Sequence, residues 1–515
     1  MTRINTNVPS MIAHANLVRN QGDLDVSLRR LSTGLRINRG ADDPAGLIIS
    51  ERIRSDIRGA EQGIKNAERA SSVIATTESA LSEVNELLNS IRSLVVEAAN
   101  TGAFSEEELA ANQLQIDSAI DSITRISNTA TFGGLKLLNG SLDYNLSGIS
   151  TSAISNARVH GASFINAASL EVEVDVLASA QTGRIFLQGD TTVPGTVQST
   201  MSIRVQGARG VTELTFISST SLSSIADAVN KLTSITGVRA QLINGDATSG
   251  MMFISEDYGS DSFVSVERIN KPQPPIVDTW STFKWADAAQ LDIGSPFNWS
   301  STNLEAAFRD TGRDVSALVN GLLATGDGLN IKVNTPALSL ELLLHEDFAT
   351  MPTATNNTFY ITGGGALFQL GGEINANQQS NIGVQSVAAS LLGGTLSNGQ
   401  LNFLSSLKTG ETNSLKSSKG RGDFSAASDV LEKSIDEVSL LRGRLGAFER
   451  NILEPNIRSL QTSVENLTSS ESRIRDADFA METSRLTRAQ ILTSSTTSAL
   501  ALANQGAQQV LQLLG

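Results

Sequence analysis

The sequence predicts an α+β fold: a long antiparallel α-helical coiled-coil rod formed by both termini, with a β-rich central insertion of small β/α units. Three observations predict it. Apolar residues recur at alternating steps of three and four at both ends, a spacing of 3.5 residues that draws a narrow stripe along a helix and calls for a partner helix. The middle, from about residue 143 to 423, changes to Val, Ile and Thr alternation broken by Gly, Asn and Ser. Matching stripes at opposite ends of one chain favour pairing of the termini with each other, followed by sideways assembly.

In order along the chain, residues 1–43 form an inner helical segment whose seam is Ile4, Val8, Met11, Ala15 and Val18, then Leu24, Leu28, Leu31 and Leu35. The stretch from Ser32 to Gly46 holds three glycines and Pro44, so that helix stops and a new one starts, capped by Asp42 or Asp43 with Pro44 in its first turn. Residues 44–142 are the N-terminal half of the rod. Ile53, Ile57, Ala60, Ile64, Ala67 and Ala70 lead into Ile74, Thr77, Leu81, Val84, Leu88, Ile91, Val95 and Ala98. At ~1.5 Å per residue this helix runs for roughly 85 Å. Thr101-Gly102 ends it, and Ser105 to Glu108 make an acidic start for a return helix through Leu109, Ile116, Ile120, Ile123 and Ile126. Phe132 to Gly140 reads as a short hairpin arm.

Residues 143–423 are expected to hold two subdomains, at about 165–270 and 300–400. The first has strand candidates at Ser202–Val205, Glu213–Ile217, Val238–Leu242, Met251–Ser255 and Phe263–Val266 and a helix seam of Leu222, Ile225, Val229 and Leu232, from which a β-β-α-β-β unit follows. The second takes Ser316 to Leu323 as helix, with strands at Leu338–Leu344 and Thr358–Thr362. A tryptophan-bearing link, 277–300, is expected to pack between them. Residues 407–422, rich in Ser, Lys and Gly, read as a linker back to the rod. Residues 424–478 are the C-terminal half of the rod, with Leu431, Ile435, Val438, Leu445, Phe448 and Ile452, then Leu460, Val464, Leu467 and Ile474. Pro455 is expected to interrupt it. Residues 479–515 form the second inner segment, through Leu500, Ala503, Ala507, Val510 and Leu514, with no charged side chain after Arg488. A polar but uncharged amphipathic helix suits burial among other helices or a confined wet lumen.

Composition removes several function classes. The 515 residues are 40% hydrophobic, enough for real cores. A net charge of −14 argues against sequence-independent nucleic-acid binding. There is no cysteine, so thiolate metal sites and thiol catalysis are excluded. The start does not read as a secretory signal, and no run approaches 18 apolar residues.

Two sets of ordered motifs resemble bacterial flagellin. Leu28 to Asn38 with Ala41 to Gly46 resembles its N-terminal signature, and Phe132 to Gly140 its hairpin arm. Ser472 to Ala480, Arg488 to Leu492 and Ala503-Asn504-Gln505 resemble its C-terminal signature. The likeness covers roughly residues 1–145 and 425–515, and Ser221 to Val266 resembles the small repeat inserted in larger flagellins. It implies a subunit that polymerises into the extracellular flagellar filament for swimming motility, exported through the flagellar type III apparatus without a cleaved signal peptide. The implied partners are other copies of the chain, an export chaperone, the filament cap and hook-associated proteins. A hook-filament junction protein or a flagellin-like adhesin or sheath component is the alternative.

The residues expected to carry assembly fall in three groups. Ile4, Val8, Met11, Leu500, Ala503, Val510 and Leu514 serve the inner pairing, and Ile57, Ile64, Leu81, Leu88, Ile91, Ile435 and Val438 the rod core. Arg29, Arg30, Arg36, Arg39, Asp42, Asp43, Arg473, Arg475, Asp476 and Asp478 lie at the joints, where polar contacts between subunits could set the helical register. Burying ~1,000 Å² of apolar surface offers ~25 kcal/mol before ordering entropy, enough to join folding to assembly. The resemblance also implies contact with Toll-like receptor 5 through Arg92 and Leu94, weakened because Asn89 and Ser90 stand where a Gln and an Arg usually do. No cofactor and no catalysis are expected. Some flagellins carry a zinc protease insert, but His345-Glu346 is not followed by the second histidine that such a site needs.

Overall fold

The computed structural model describes residues 6–102, 105–164, 169–189, 194–270, 280–286, 297–301, 303–335, 337–350, 356–397 and 400–514, with Ser397 and residues 506–514 described by backbone alone. The chain divides into two compact units. A terminal unit takes Met1–Ser71, Gln369–Gln379 and Glu449–Gly515, and a central unit takes Ser72–Phe368 and Ser380–Phe448. These limits cut across the five sequence segments, because they follow contacts between residues far apart in the chain.

The helices are α1 (Val8–Thr33), α2 (Pro44–Ala98), α3 (Glu106–Thr129), α4 (Leu222–Asn230), α5 (Thr233–Thr236), α6 (Glu346–Ala349), α7 (Leu415–Arg421), α8 (Ser425–Phe448), α9 (Glu454–Arg475) and α10 (Phe479–Leu514). Their ends follow capping chemistry. The Asn7 side chain accepts the Ser10 N–H, and α1 stops at Gly34, whose φ of 73° lets its N–H reach the Arg30 carbonyl. Ser105 and Glu108 form a reciprocal capping box on α3. Pro455 sits in the first turn of α9, where no amide donor is required, behind a wider π-type turn at Glu449–Leu453.

In the central unit, the second part of α2 buries Ile74, Leu81, Val84, Leu88, Ile91 and Val95, and α3 buries Leu109, Ile116, Ile120 and Ile123. On α8, Val430, Leu431, Val438 and Leu445 are buried. Cross-helix polar contacts tie α2 to its neighbours: Asn112 Nδ2 donates to Glu97 Oε2 at 3.2 Å, and Arg442 meets Glu78 at 3.6 Å. The stretch 407–422 is not a free linker. Gln113 donates to the Leu407 carbonyl and accepts the Leu415 N–H, while Lys408 and Lys419 pair with Asp121 and Glu106 at 2.7 Å. Its polar composition hid that Leu407, Leu415 and Ser418 are buried.

The strands make two nested cores. After the hairpin β1 (Thr131–Phe132) and β2 (Leu135–Lys136), turned by Gly133-Gly134 at positive φ, the chain lays down β3 (Tyr144–Ser147), β4 (Ile154–Ala162) and β5 (Leu170–Ala178). It then leaves for β6 (Arg184–Leu187), β7 (Met201–Gly207), β8 (Val211–Phe216), β9 (Val238–Leu242), β10 (Met251–Ser255), β11 (Phe263–Arg268), β12 (Thr282–Trp285), β13 (Leu304–Ala306) and β14 (Arg309–Thr311). It returns with β15 (Ser316–Val319), β16 (Leu322–Leu323), β17 (Thr325–Asp327), β18 (Asn330–Asn334), β19 (Leu338–Leu344) and β20 (Asn356–Gly364). Sheets β16-β15-β5-β20-β3 and β17-β18-β19-β4 enclose one core; β13-β12-β6-β10-β9 and β14-β11-β7-β8, with α4, enclose the other. The two subdomains are therefore not consecutive: one is inserted in the other.

Two further expectations change. Ser316 to Leu323 is a hairpin and not a helix, because Asn320 and Gly321 both take positive φ (50° and 77°), the geometry of a two-residue hairpin turn. The tryptophan link does not fill a gap between subdomains over its described residues. Phe297, Trp299 and Trp285 stack with Phe186 on the second face of the β6-β10 sheet, with ring centroids 4.6 to 5.8 Å apart. Residues 277–279 and 287–296 of that link lie outside the described residues.

Candidate assembly surface

The termini meet within the terminal unit as an antiparallel helix pair. Asn7 Nδ2 donates to the Ala503 carbonyl at 3.0 Å, Ser10 Oγ to Asn504 Oδ1 at 2.8 Å and Asn20 Nδ2 to Thr496 Oγ1 at 3.4 Å. Farther along the same register, Arg30 faces Glu482 at 3.8 Å, and Leu35 forms an antiparallel bridge with Asp476. The direct contacts are largely polar or small: Ser27 is the buried residue of α1, and Ala489 and Glu482 are buried on α10.

Many large apolar side chains of the pair point elsewhere, although Leu17, Leu24, Leu31 and Leu486 are half-buried. Val8 and Met11, expected in the pairing seam, are exposed, as are Ile12, Val18 and Leu28 on α1. Phe479, Met481, Ile491 and Leu502 are exposed on α10, Leu502 to 71%, while Leu500 and Ala503 are half-buried. Only part of the predicted stripe is covered: Leu24, Leu31 and Leu35 are half-buried, while Val8, Met11 and Val18, beside the residues Asn7, Ser10 and Asn20 that hydrogen-bond across the gap, face outward. Ile4 lies outside the described residues, as do the side chains of Val510 and Leu514.

The joint is built from backbone bonds. Arg36 N–H donates to the Arg475 carbonyl at 2.7 Å, Ala477 N–H to the Gly34 carbonyl at 2.9 Å, and the Arg36 guanidinium to the Ile474 carbonyl. Asp42 Oδ2 accepts the N–H groups of Arg39 and Asn38 at 2.9 and 3.1 Å, and these bonds hold its carboxyl below the usual range. Asp43 caps α2 through the Gly46 N–H at 2.9 Å, and a Cβ on Gly46 would lie 2.5 Å from Asp43 Oδ2 and 2.7 Å from Ile37 Cδ1, so glycine lets both side chains close over the turn. Ion pairs bind α2 to the antiparallel α9: Arg475 to Glu51 at 2.7 Å and Arg54 to Glu471 at 3.0 Å. On exposed surface each is worth about 0–1 kcal/mol. Of the predicted joint residues, Arg36, Arg39, Arg473, Asp476 and Asp478 are exposed, and Arg29, Arg30, Asp42, Asp43 and Arg475 are partly covered.

Sequence reading missed the polar seam and the acidic partners Glu51, Glu471 and Glu482. Glu482 did carry a signal, being the lone acid from Phe479 to the end of the chain. Of the rod-core set, Ile57, Leu81, Leu88, Ile91 and Val438 are buried, and Ile64 and Ile435 are half-buried. Arg92 is exposed and Leu94 half-buried on α2. His345 caps α6 by accepting the Asp347 N–H, and among the described residues no group of three or more His, Asp and Glu side chains is placed to hold a metal. None of the described helices is long and apolar enough to cross a membrane.

Comparison with known proteins places these features in a family. Residues 4–143 match the bacterial flagellin N-terminal helical region, residues 428–514 the C-terminal helical region, and residues 200–257 the flagellin hook IN motif. The chain is 30% identical to the flagellin of Escherichia coli strain K12 and 29% identical to that of Salmonella rubislaw, in each case over 99% of both chains. It is likewise 29% identical to the B-type flagellin of Pseudomonas aeruginosa, again over 99% of each.

Proposed function

For a chain that belongs to the bacterial flagellin family and is a structural subunit of the extracellular flagellar filament, we propose that the exposed apolar faces of α1 and α10 are the surfaces by which copies assemble. The observation that carries this is the pair itself: Asn7 and Ser10 hydrogen-bond across its seam to Ala503 and Asn504, and Met11, Ile12, Ile491 and Leu502 are left in solvent. Four such side chains in one helix pair are costly in a lone molecule and stabilising once neighbours cover them. Val8, Met11, Leu500 and Ala503, with Ile4, Val510 and Leu514, are the inner contacts of this reading. Ile57, Leu81, Leu88, Ile91 and Val438, with Ile64 and Ile435, hold the rod core, and the joint residues from Arg29 to Asp43 and Arg473 to Asp478 set the register between copies.

The same reading has the chain leave the cell through the flagellar type III apparatus, escorted by an export chaperone, and polymerise beneath a cap on hook-associated proteins. No reaction is assigned to it. Arg92 stands in solvent on α2, so a receptor approaching from outside meets it, and without a cation at position 90 the chain is a weak agonist of Toll-like receptor 5. Reporter cells carrying that receptor test this, and a full-strength response would contradict it. Deleting residues 488–515 tests assembly: the variant remains soluble and forms no filaments, and normal filaments from it would overturn the mechanism.

A further inference from the structure

Within the terminal unit lies a short segment that the sequence places far from either terminus. Gln369–Gln379 bridges the paired strands Ala366–Gln369 and Gln379–Ile382 and belongs with the terminal helices. It sits where α2 presents Gly59 and Gly63 one turn apart. A Cβ on Gly59 would stand 3.1 Å from the Gly372 Cα, and one on Gly63 3.0 Å from the Leu370 carbonyl oxygen, so any larger residue would push the crossing backbone outward by a few tenths of an ångström. Asn456 Nδ2, from α9, donates to that same Leu370 carbonyl at 2.8 Å.

The tip beyond this seat is held by its own hydrogen bonds. Gln378 Oε1 accepts the Glu373 N–H at 2.7 Å, Asn375 Oδ1 accepts the Gln378 N–H at 3.0 Å, and Gln369 Nε2 donates to the carbonyls of Gly371 and Glu373. What this fixed tip displays is Ile374, 90% exposed, a higher exposure than any other large apolar side chain among the described residues. A free loop would more usefully carry a polar residue there.

We propose that Ile374 is a contact point for a second copy of this chain in the filament. The inference rests on the assembly reading of the terminal unit, to which this segment belongs and whose α2 also exposes Ile48 and Ile49. Charge fits a like partner. The terminal unit carries 17 Lys and Arg against 16 Asp and Glu, so two copies meet there with almost no net repulsion, whereas the central unit carries 22 against 37. A rigid backbone presenting one apolar side chain also loses little conformational freedom when that side chain is covered.

The chain has no cysteine, so a single engineered one accepts a nitroxide label cleanly. Labels on Ile374→Cys and, separately, Leu502→Cys are compared by electron spin resonance in monomers and in sheared filaments. Both labels become immobilised in filaments if the inference holds. Immobilisation at 502 with a freely mobile label at 374 overturns this inference alone, and mobility at both sites overturns the terminal assembly reading as well. In parallel, Ile374→Asp raises the protein concentration needed for elongation about tenfold, Ile374→Leu restores it, and both keep the parent's circular dichroism. Elongation of Ile374→Asp at the parent's concentration would overturn the proposal.

Discussion

The central and terminal units use apolar residues in opposite ways. In β19 the alternate residues Leu338, Leu340, Leu342 and Leu344 all point into a closed core that β4, β5, β18 and β20 complete from the same chain. On α9 no residue is buried, and α1 buries only Ser27, yet both helices repeat apolar side chains at helical spacing. Charge divides the same way, since the acidic excess of the chain lies in the central unit and the terminal unit is nearly neutral. Apolar periodicity alone does not say whether a surface is finished. A sheet that closes on itself is complete as a monomer, whereas a two-helix pair with a polar seam has spent its hydrogen bonds inside and left its hydrophobic face for another molecule.

The sharpest way to break this comparison is to substitute one residue of each kind. Ile491→Asp, on the exposed face of α10, is expected to abolish filament formation while leaving monomer unfolding within about 0.5 kcal/mol of the parent. Leu342→Ala, in the closed core, is expected to lower the stability of the central unit by about 2–4 kcal/mol while filaments still form at low temperature. Chemical unfolding with sedimentation of polymer reads both effects, and an Ile491→Asp chain that polymerised normally would break the contrast.

A smaller effect probes charge inside the central unit. The His160 ring 3.9 Å away, Lys433 at 3.2 Å and Lys332 at 3.9 Å hold the Glu341 carboxyl well below the ordinary carboxylate range. Its folded value lies below its unfolded one, so it contributes stability above pH ~4.3 that is lost as pH falls toward the folded value. Glu341→Gln is therefore expected to destabilise this unit by about 1–3 kcal/mol near neutral pH, with the gap from the parent closing below pH ~4. Trp280, Trp285 and Trp299 are the chain's three tryptophans and all lie in this unit, so urea unfolding followed by their fluorescence reads it selectively. A gap that stayed constant down to pH 3 would contradict the assigned electrostatics.

What could be read from sequence follows the same division. The seam from Ile57 to Ala98 and strands β9, β10 and β19 lie where periodicity put them, because one buried face imposes one period. The hairpin at Ser316–Leu323 was misread because its valine and leucines fit a helix stripe over so short a run, while the deciding signal was the Asn320-Gly321 pair. The nesting of the two cores left no local trace, since it depends on which distant strands pair. In the assembly surface the apolar residues of α1 and α10 were legible and their facing was not: Val8 and Met11 fit a seam by spacing, but the seam was taken by Asn7, Ser10 and Asn20, whose reach to Ala503, Asn504 and Thr496 no pattern announces. The seat of Gln369–Gln379 on Gly59 and Gly63 was equally silent, being a contact of backbone on backbone.

Hydrogen exchange of backbone amides, measured residue by residue in purified monomer and in sheared filaments, addresses the contrast between the two units most directly. Amides of 8–33 and 479–505 should exchange quickly in the monomer and gain strong protection in the filament, while those of β5, β19 and β20 should be protected in both. Equal protection of the terminal helices in monomer and filament would mean that their surfaces are complete in one chain, and would contradict this account.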